Sequence, residues 1–262
     1  MRPADKRILD CISSPQDLHL LSVEELGILA GEIRQQIIAT TSKTGGHVAS
    51  SLGAVEIILA CHSVLDAPED KLVFDVGHQS YAHKLVTGRL AAFDSLRAYG
   101  GLSGFPKPSE SPFDTHPSGH ASDSLSVASG FAKAKVLMGS SERVVAIIGD
   151  AALAGGMAFE ALNYIGSQQL PMVIILNDNE MSISRNVGAL MRHLGNVRST
   201  RGYRQTRDFI QERMEHGGRV SNAFVELGRR MKDSTKHMFL PDSMIYEQLG
   251  IVCTPPINGN SI

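Results

Sequence analysis

Residues 144–180 read VVAIIGDAALAGGMAFEALNYIGSQQLPMVIILNDNE, and this stretch carries the clearest indication of the architecture. Two apolar runs, VVAII and VIIL, flank a segment that has the length and spacing of a helix. Both runs are apolar throughout rather than alternating, which is typical of parallel strands buried on both faces. A right-handed crossover places two such strands side by side. The sequence therefore predicts an α/β fold, a parallel sheet with helices on both faces.

Each of these two predicted strands ends on oxygen-bearing side chains. Asp150 follows the first strand, and the run from Asn177 to Asn179 follows the second. Ligands of open parallel sheets gather at the carboxyl ends of the strands, so we expect these oxygens to converge. Carboxylate and amide oxygens suit Mg²⁺, which in proteins usually shares its shell with phosphate oxygens. Gly155-Gly156 then open a helix whose free N–H groups favour an anion.

A simpler interpretation of the same residues needs no ligand. Asp and Asn are common cap and turn residues, so Asp150 would cap a helix and the Asn-Asp-Asn run would form a polar turn. The pairing of two neighbouring strand ends is more specific than either feature alone. It favours the metal over the cap and the turn.

Ordinary start and stop signals predict the remaining elements. Ser22 and Glu25 form a capping-box pattern that opens a helix to about Thr40, with Leu26, Leu29, Ile33 and Ile37 on one face. We also predict a Thr-, Ser- and Gly-rich loop at 41–53, a helix at 54–65, a strand at 71–77, a long Gly- and Pro-rich loop at 87–123 and a helix at 125–139.

Composition argues against several classes of protein. A hydrophobic content of 42% with 20% charged residues fits an ordinary globular chain, and the net charge of −2 argues against a dedicated nucleic-acid binder. The three cysteines are far apart and form no C-x-x-C, so neither a zinc site nor a disulfide framework is predicted. With no membrane-length apolar run and no signal-peptide pattern, we expect a cytoplasmic protein with no membrane partner.

Positive charge is concentrated in a basic excursion over about 191–240. A solvated helical face and an anion-facing surface are both open interpretations of this charge run. Its basic residues are Arg192, Arg198, Arg201, Arg204, Arg207, Arg213, Arg219, Arg229, Arg230, Lys232 and Lys236.

The Gly-Asp pair, followed after a helix and a strand by Asn-Asp-Asn, resembles the thiamine-diphosphate motif of the transketolase family. Other segments narrow the resemblance to the 1-deoxy-D-xylulose-5-phosphate synthase family, and together they span nearly the whole chain. They are TGGHVASSLGAVEI (44–57), VFDVGHQSYAHKLVTGR (73–89), GLSGFPKPSES (101–111), SGHASDSLSVASG (118–130), NDNEMSISRNVGAL (177–190) and MIYEQLGIVCTPPINGN (244–260). The resemblance implies a thiamine-diphosphate-binding fold. We expect a single diphosphate-binding domain over 1–262, C-terminally truncated relative to the family, with an N-terminal arm at about 1–21.

The resemblance also implies a set of metal and diphosphate ligands. Asp150, Asn179 and the backbone carbonyl of Met181 would bind Mg²⁺, and Mg²⁺ would hold the diphosphate of the cofactor. The residues that would line this diphosphate are Gly149, Ala151 and Ala152.

Two histidines and one loop complete the implied site. His47 and His78 would bind the cofactor and face the reacting carbon, where a positioned imidazole can deliver or remove a proton. Gly119, His120 and Ala121 would pass close to the cofactor.

The chain departs from the family pattern at a few of these positions. Ala151 stands where the family has glycine, which would cost about 1–2 kcal/mol if the backbone there needs positive φ. Asp123 stands near the expected phosphates and would repel them unless it is turned away or paired. The family's GPIDGH run has become PPINGN, with Asn258 and Asn260 in place of Asp and His.

The resemblance implies a transferase of isoprenoid biosynthesis that decarboxylates pyruvate and transfers a two-carbon unit to an aldehyde such as glyceraldehyde 3-phosphate. We expect a thiamine-diphosphate- and Mg²⁺-binding subunit of a two-chain enzyme. A partner chain would supply the pyrimidine-binding and C-terminal domains, including the activating glutamate, within a homo- or hetero-oligomer. The alternative, on the departures above, is a non-catalytic relic or regulatory binding module. An unrelated nucleotide-binding protein is disfavoured because no G-x-G-x-x-G follows a strand and no P-loop motif is present.

Overall fold

The computed structural model describes residues 6–178, 244–254 and 257–262. Its strands are β1 (Lys71–Phe74), β2 (Val144–Gly149) and β3 (Val173–Asn177). Its α-helices are α1 (Val23–Thr44), α2 (Val48–Leu52), α3 (Val55–Val64), α4 (Tyr81–Lys84), α5 (Ser124–Met138), α6 (Asp150–Leu153), α7 (Gly156–Gln168) and α8 (Met244–Gln248). Shorter 3₁₀ or π turns span Leu9–Cys11, Pro15–Leu20, Leu85–Arg89 and Leu90–Ser95.

The sheet is parallel, with strand order β1-β2-β3. Leu72 and Phe74 of β1 and Val145 and Ile147 of β2 belong to a core cluster that they share with α1 and α3. The alternate residues of β1 and β2 are also buried, and α5 packs against both strands. Both faces of these strands are therefore covered, which confirms the predicted α/β fold and explains why the apolar runs do not alternate.

Helix α1 begins where its capping box predicts and buries the expected face. Ser22 accepts a hydrogen bond from the N–H of Glu25, and the Glu25 carboxylate accepts one from the N–H of Ser22. The predicted loop 41–53 is wrong in part, since α1 continues to Thr44 and α2 follows within that range. The Thr41 hydroxyl donates to the Ile37 carbonyl at 2.6 Å, so this threonine fits inside the last turns of the helix.

The N-terminal segment is packed into the core over its described residues. Leu9 and Leu18 are fully buried, and the carboxylate of Glu32 on α1 accepts the N–H groups of Ile8 and Leu9 at 3.1 and 2.8 Å. The predicted arm at about 1–21 is therefore an integral part of this unit where it is described.

The long loop predicted over 87–123 is held in place by buried charges. The Asp114 carboxylate accepts both guanidinium nitrogens of Arg89 at 2.7 and 2.8 Å and faces a ring nitrogen of His83 at 2.9 Å. Nearby, the fully buried ammonium of Lys84 donates to Glu110 at 2.8 Å. Burial alone would raise the pKa of Asp114, but the hydrogen bonds from His83 and Arg89 outweigh it and hold that pKa well below its ordinary value.

The chain divides into two compact units. One comprises Met1–Ala161, Leu170–Met181 and Asn258–Ile262 and contains the sheet, and the other comprises Leu162–Gln169 and Ser182–Ile257. In the second unit the Gln169 side-chain amide donates to the carbonyls of Gly166 and Gly250. The basic excursion over about 191–240 lies outside the described residues. Over the described ranges, no helix has the length and apolar character needed to cross a membrane.

Candidate functional site

The carboxyl ends of β2 and β3 lie side by side. Gly149 pairs with Asn177 in the register of the two strands, and Asp150 follows directly as the first residue of α6. Asp150 and Asn177 are both buried, at 7% and 8% exposure, although each stands at a strand end. The Asn177 side-chain nitrogen has no hydrogen-bond partner among the described residues, so a donor there is available to an oxygen-rich ligand. Two further predicted ligands, Asn179 and Met181, lie outside the described residues.

Ala151 occupies an ordinary helical position. It is exposed on α6, and its φ is not positive, so the expected cost of 1–2 kcal/mol does not arise. Sequence analysis missed α6, because a four-residue helix between a strand and Gly155-Gly156 gives no periodic signal. Gly149 is the N-cap of α6, and Ala152 lies within this helix.

His47 and His78 are brought together although they are 31 residues apart in the chain, the difference between their numbers. Their ring centroids lie 5.8 Å apart at an interplanar angle of 78°, and Phe105 lies 5.7 Å from His47. Each imidazole has a buried Nδ1 without a hydrogen-bond partner in the described part of the chain. The positive φ angles of Gly46 (143°) and Gly77 (81°) allow both histidines to turn into this position.

Burial keeps both imidazoles neutral near pH 7. Burial and the positive charge of Arg97 lower the pKa of His47. Burial and the neighbouring His47 lower the pKa of His78, and the Asp75 carboxylate opposes this shift without reversing it. A neutral imidazole with an unpaired nitrogen can accept a proton, which is the role that the family resemblance implies for this pair.

The loop Gly119-His120-Ala121 lies on the same side of the sheet. All three residues are exposed, and no heavy atom of the described residues stands within 4 Å of where a Cβ on Gly119 would lie. The carbonyl of His120 accepts the N–H of Val76 at 3.2 Å, two residues before His78. The loop thus presents exposed backbone beside the turn that carries His78, as a ligand that approaches closely would require.

Asp123 is turned toward a histidine that sequence analysis did not single out. It stands at the N-cap of α5 without a capping hydrogen bond, and its Oδ1 lies 4.0 Å from Nε2 of His116. Burial raises the pKa of Asp123, and the nearby His116 partly opposes the shift. Burial also lowers the pKa of His116, and the Asp123 Oδ1 has no hydrogen-bond partner among the described residues, so the expected repulsion of a diphosphate stays a prediction. No motif marks His116, because its role depends on a contact made only in the fold.

The described residues fit a magnesium-bound diphosphate as far as they extend. A buried carboxylate at one strand end, a buried amide with an unpaired donor at the next, and an exposed glycine loop provide the right chemical groups. Within the described ranges no three His, Cys, Asp or Glu side chains are grouped to hold a metal. Mg²⁺ would therefore need the predicted oxygens at 179 and 181 as well as phosphate oxygens.

Solved structures place this architecture in a known fold class. A transketolase variant from Pichia stipitis matches with a TM-score of 0.57 at 19% identity, over 62% of this chain and 28% of that one. The transketolase of Campylobacter jejuni matches with a TM-score of 0.56 at 23% identity, over 62% of this chain and 29% of that one. The chain therefore has a transketolase-like, thiamine-diphosphate-binding type of fold.

Sequence comparison is more specific than the fold. The family model for the N-terminal part of 1-deoxy-D-xylulose-5-phosphate synthase matches residues 9–262, and the chain belongs to that family. It is 48% identical over 255 residues to the 1-deoxy-D-xylulose-5-phosphate synthase of Carboxydothermus hydrogenoformans and 49% identical over 256 residues to that of Lachnoclostridium phytofermentans. The matches cover 97% and 98% of this chain. The chain spans about 41% of the length of these relatives.

Proposed function

We propose that this chain binds Mg²⁺ and thiamine diphosphate as the diphosphate-side domain of a 1-deoxy-D-xylulose-5-phosphate synthase-type transferase. The observation that carries the proposal is the meeting of Gly149 with Asn177 at two parallel strand ends, with Asp150 buried beside them. The close approach of His47 to His78 supports it independently, because the two come from different turns.

Each proposed ligand contributes a definite interaction. Asp150, Asn179 and the Met181 carbonyl would supply hard oxygens to Mg²⁺, while the amides at Gly149, Ala151 and Ala152 would line the diphosphate. The exposed loop Gly119-His120-Ala121 would pass along the bound cofactor.

The histidines would manage protons and the cofactor would supply the chemistry. Thiamine diphosphate serves as an electron sink for a carbanion. His47 and His78, both neutral near pH 7, would hold or move a proton at an unpaired Nδ1. Phe105, beside His47, would limit the access of water to that ring.

The full reaction would need residues beyond these 262. Family resemblance implies pyruvate as donor, an aldehyde such as glyceraldehyde 3-phosphate as acceptor, and an activating glutamate in a pyrimidine-binding domain. We propose that a second polypeptide supplies this domain within an oligomer. A cytoplasmic location stays a prediction from the sequence.

Cofactor binding can be tested with one variant and one matched control. Asp150→Asn removes the carboxylate charge proposed to bind the metal at the carboxyl end of β2. Asp70→Asn alters a buried carboxylate just before β1, at the amino end of that strand. We expect Mg²⁺ with thiamine diphosphate to raise the melting temperature of the wild type and of Asp70→Asn, and to leave that of Asp150→Asn unchanged. Equal shifts in all three proteins would contradict the assignment of Asp150.

Catalysis is tested by adding the remaining domains of a relative. The chain is mixed with a folded protein that carries the pyrimidine-binding and C-terminal domains of a relative, and pyruvate consumption is followed in the presence of glyceraldehyde 3-phosphate. We expect activity only in the mixture, and its loss in His47→Ala. Continued inactivity with a partner that folds and associates would favour the alternative, a non-catalytic binding module.

A further inference from the structure

Asp75 is a buried carboxylate that sequence analysis did not assign to the site. It follows β1 directly and is 3% exposed. Its Oδ1 accepts the N–H of Ser122 at 2.9 Å, and its Oδ2 accepts the N–H and the hydroxyl of Ser124 at 3.2 and 2.7 Å. Three donors from one short segment therefore converge on a single side chain 47 to 49 residues away. Hydrogen bonds to a charged acceptor are among the stronger ones in proteins.

Ser122 extends this connection to the turn after β2. Its backbone adopts a positive φ of 73°, an uncommon conformation for a residue with a side chain. In that conformation its N–H points to Asp75 while its hydroxyl donates to the carbonyl of Ala152 at 2.7 Å. A Cβ on Gly155 would collide with the Ser122 hydroxyl, so a glycine is needed at that position. Ser122 therefore joins the end of β1 to α6.

The turn that carries His78 is tied to the same loop. Val76 has a positive φ of 59°, which is strained for a β-branched residue. Its N–H donates to the carbonyl of His120, and Pro106 packs against the space beside Gly77. Asp75 thus stands where three segments proposed to contact the cofactor meet: the His78 turn, the Gly119–Ala121 loop and α6.

We propose that Asp75, acting through Ser122, is a positioning residue that fixes the Gly119–Ala121 loop relative to the His78 turn and α6. This inference rests on the proposed function, because the value of a fixed loop lies in its contact with the cofactor. Both carboxylate oxygens of Asp75 already accept hydrogen bonds from Ser122 and Ser124, so we assign it no direct contact with the ligand. A buried carboxylate needs hydrogen-bond donors, and Ser122 and Ser124 supply them. Because these two residues are held at Asp75, the path of Gly119–Ala121 just before them is fixed as well.

Asp70 provides a matched control at the opposite end of the same strand. It is also buried, at 6% exposure, and it accepts the N–H groups of Asp66 and Arg143 at 3.0 and 2.6 Å. Asp75→Asn and Asp70→Asn therefore remove the same charge from similar hydrogen-bonded environments. Only Asp75 touches the proposed site.

The first readout is amide hydrogen exchange in the full chain. In Asp75→Asn we expect the amides of Ser122 and Ser124 to exchange about tenfold faster or more, because their hydrogen bonds to a charged acceptor are lost. The amide of Val76 should also exchange faster, because its acceptor, the His120 carbonyl, lies on the loosened loop. In Asp70→Asn we expect these amides to be unchanged and those of Asp66 and Arg143 to be faster. The inference would be overturned if either variant accelerated amide exchange equally at both ends of β1. It would also be overturned if Asp75→Asn left exchange at residues 122–124 unchanged.

The second readout is the dissociation constant of thiamine diphosphate at saturating Mg²⁺. We expect an increase of about tenfold or more in Asp75→Asn and none in Asp70→Asn. Unchanged affinity in a variant whose loop exchanges faster would overturn the positioning role. Failure of the wild type to bind would instead overturn the proposed function, and the exchange comparison would still decide whether Asp75 fixes the loop.

Ser122→Ala is a second variant that tests the proposal even if Asp75→Asn does not fold. It removes only the hydroxyl bond to Ala152 and keeps the backbone N–H that Asp75 accepts. We expect faster exchange at residues 119–122 and a weaker affinity for the cofactor, with a smaller effect than in Asp75→Asn. An unchanged affinity and unchanged exchange in this variant would overturn the bridge through Ser122.

Discussion

Replacing Asp114 with asparagine tests whether buried charges hold the long loop beside the histidine pair. Asp114 is completely buried, and its partner Arg89 is 7% exposed, with nitrogen-to-oxygen distances of 2.7 and 2.8 Å. The substitution keeps the size of the side chain but removes its charge. Arg89 then keeps only the more distant carboxylate of Glu110, at 3.8 Å, as a counter-charge, and one of its donors or that of His83 faces the new NH₂ group.

The expected loss of stability follows from this burial. Breaking one partner of a buried ion pair costs about 3–5 kcal/mol, because the remaining charge stays desolvated. At about 2–4 °C per kcal/mol for a chain of this size, the melting temperature should fall by roughly 6–20 °C. Because Phe105 of the same loop contacts His47, we also expect the loosened loop to weaken cofactor binding.

An exposed ion pair with the same nitrogen-to-oxygen distance provides the control. Arg7 and Asp10 also approach to 2.7 Å, but their side chains are 42% and 36% exposed, so Asp10→Asn should cost no more than about 1 kcal/mol. Urea unfolding followed by circular dichroism gives both free energies. If Asp114→Asn costs no more than Asp10→Asn, the argument that burial governs this network is refuted.

The pH dependence of the same measurement gives a second check. The pKa of Asp114 is held below its ordinary value in the folded chain, so the ionised carboxylate stabilises the fold fully above the unfolded pKa of about 3.9. This contribution is lost as the pH falls toward the folded pKa. The difference between wild type and Asp114→Asn should therefore be constant near neutrality and shrink below about pH 4. A difference that grows in acid would contradict this sign.

Further predictions concern the buried histidines and two small residues. Burial lowers the pKa values of His62 and His83, whose ring nitrogens lie 2.8 Å apart, so stability should fall as the pH drops below about 6.5. His62→Gln should reduce this pH dependence, which urea midpoints measured from pH 7 to 5 would show. Ala151→Gly should lower stability by about 0.5–1 kcal/mol in urea unfolding, since Ala151 is helical, and a gain in stability would contradict this. Gly155→Ala should accelerate amide exchange at Ser122, because the new Cβ collides with its hydroxyl; unchanged exchange would show that the contact relaxes freely.

Sequence reasoning predicted the elements whose signals are local. The apolar runs of β2 and β3 and the capping box at Ser22 each lie within one element, and the structure has them at the expected places. The adjacent strand ends were also anticipated, since parallel strands present their carboxyl ends on one side. The family resemblance, rather than this geometry, implied that His47 and His78 belong to one site. The boundaries differed by up to a few residues, as at the end of α1.

Features that depend on distant contacts were missed. Helix α2 is supported by the hydroxyls of Ser50 and Ser51, which donate to the carbonyl of His78, and nothing in residues 41–53 alone signals that contact. The same holds for Asp114 and for Asp75, whose partners lie far along the chain. An aspartate in a loop gives no sign in the sequence that it is buried. The predicted ligands Asn179 and Met181 lie outside the described residues and stay predictions.

The most direct measurement of the central claim is a calorimetric titration of the wild-type chain with thiamine diphosphate, with and without Mg²⁺. Asp150 is proposed to hold the diphosphate through the metal, because a carboxylate on its own repels phosphate. We predict saturable binding with one site per chain when Mg²⁺ is present and none after chelation. Absence of binding in both conditions, or equal binding in both, would contradict the account.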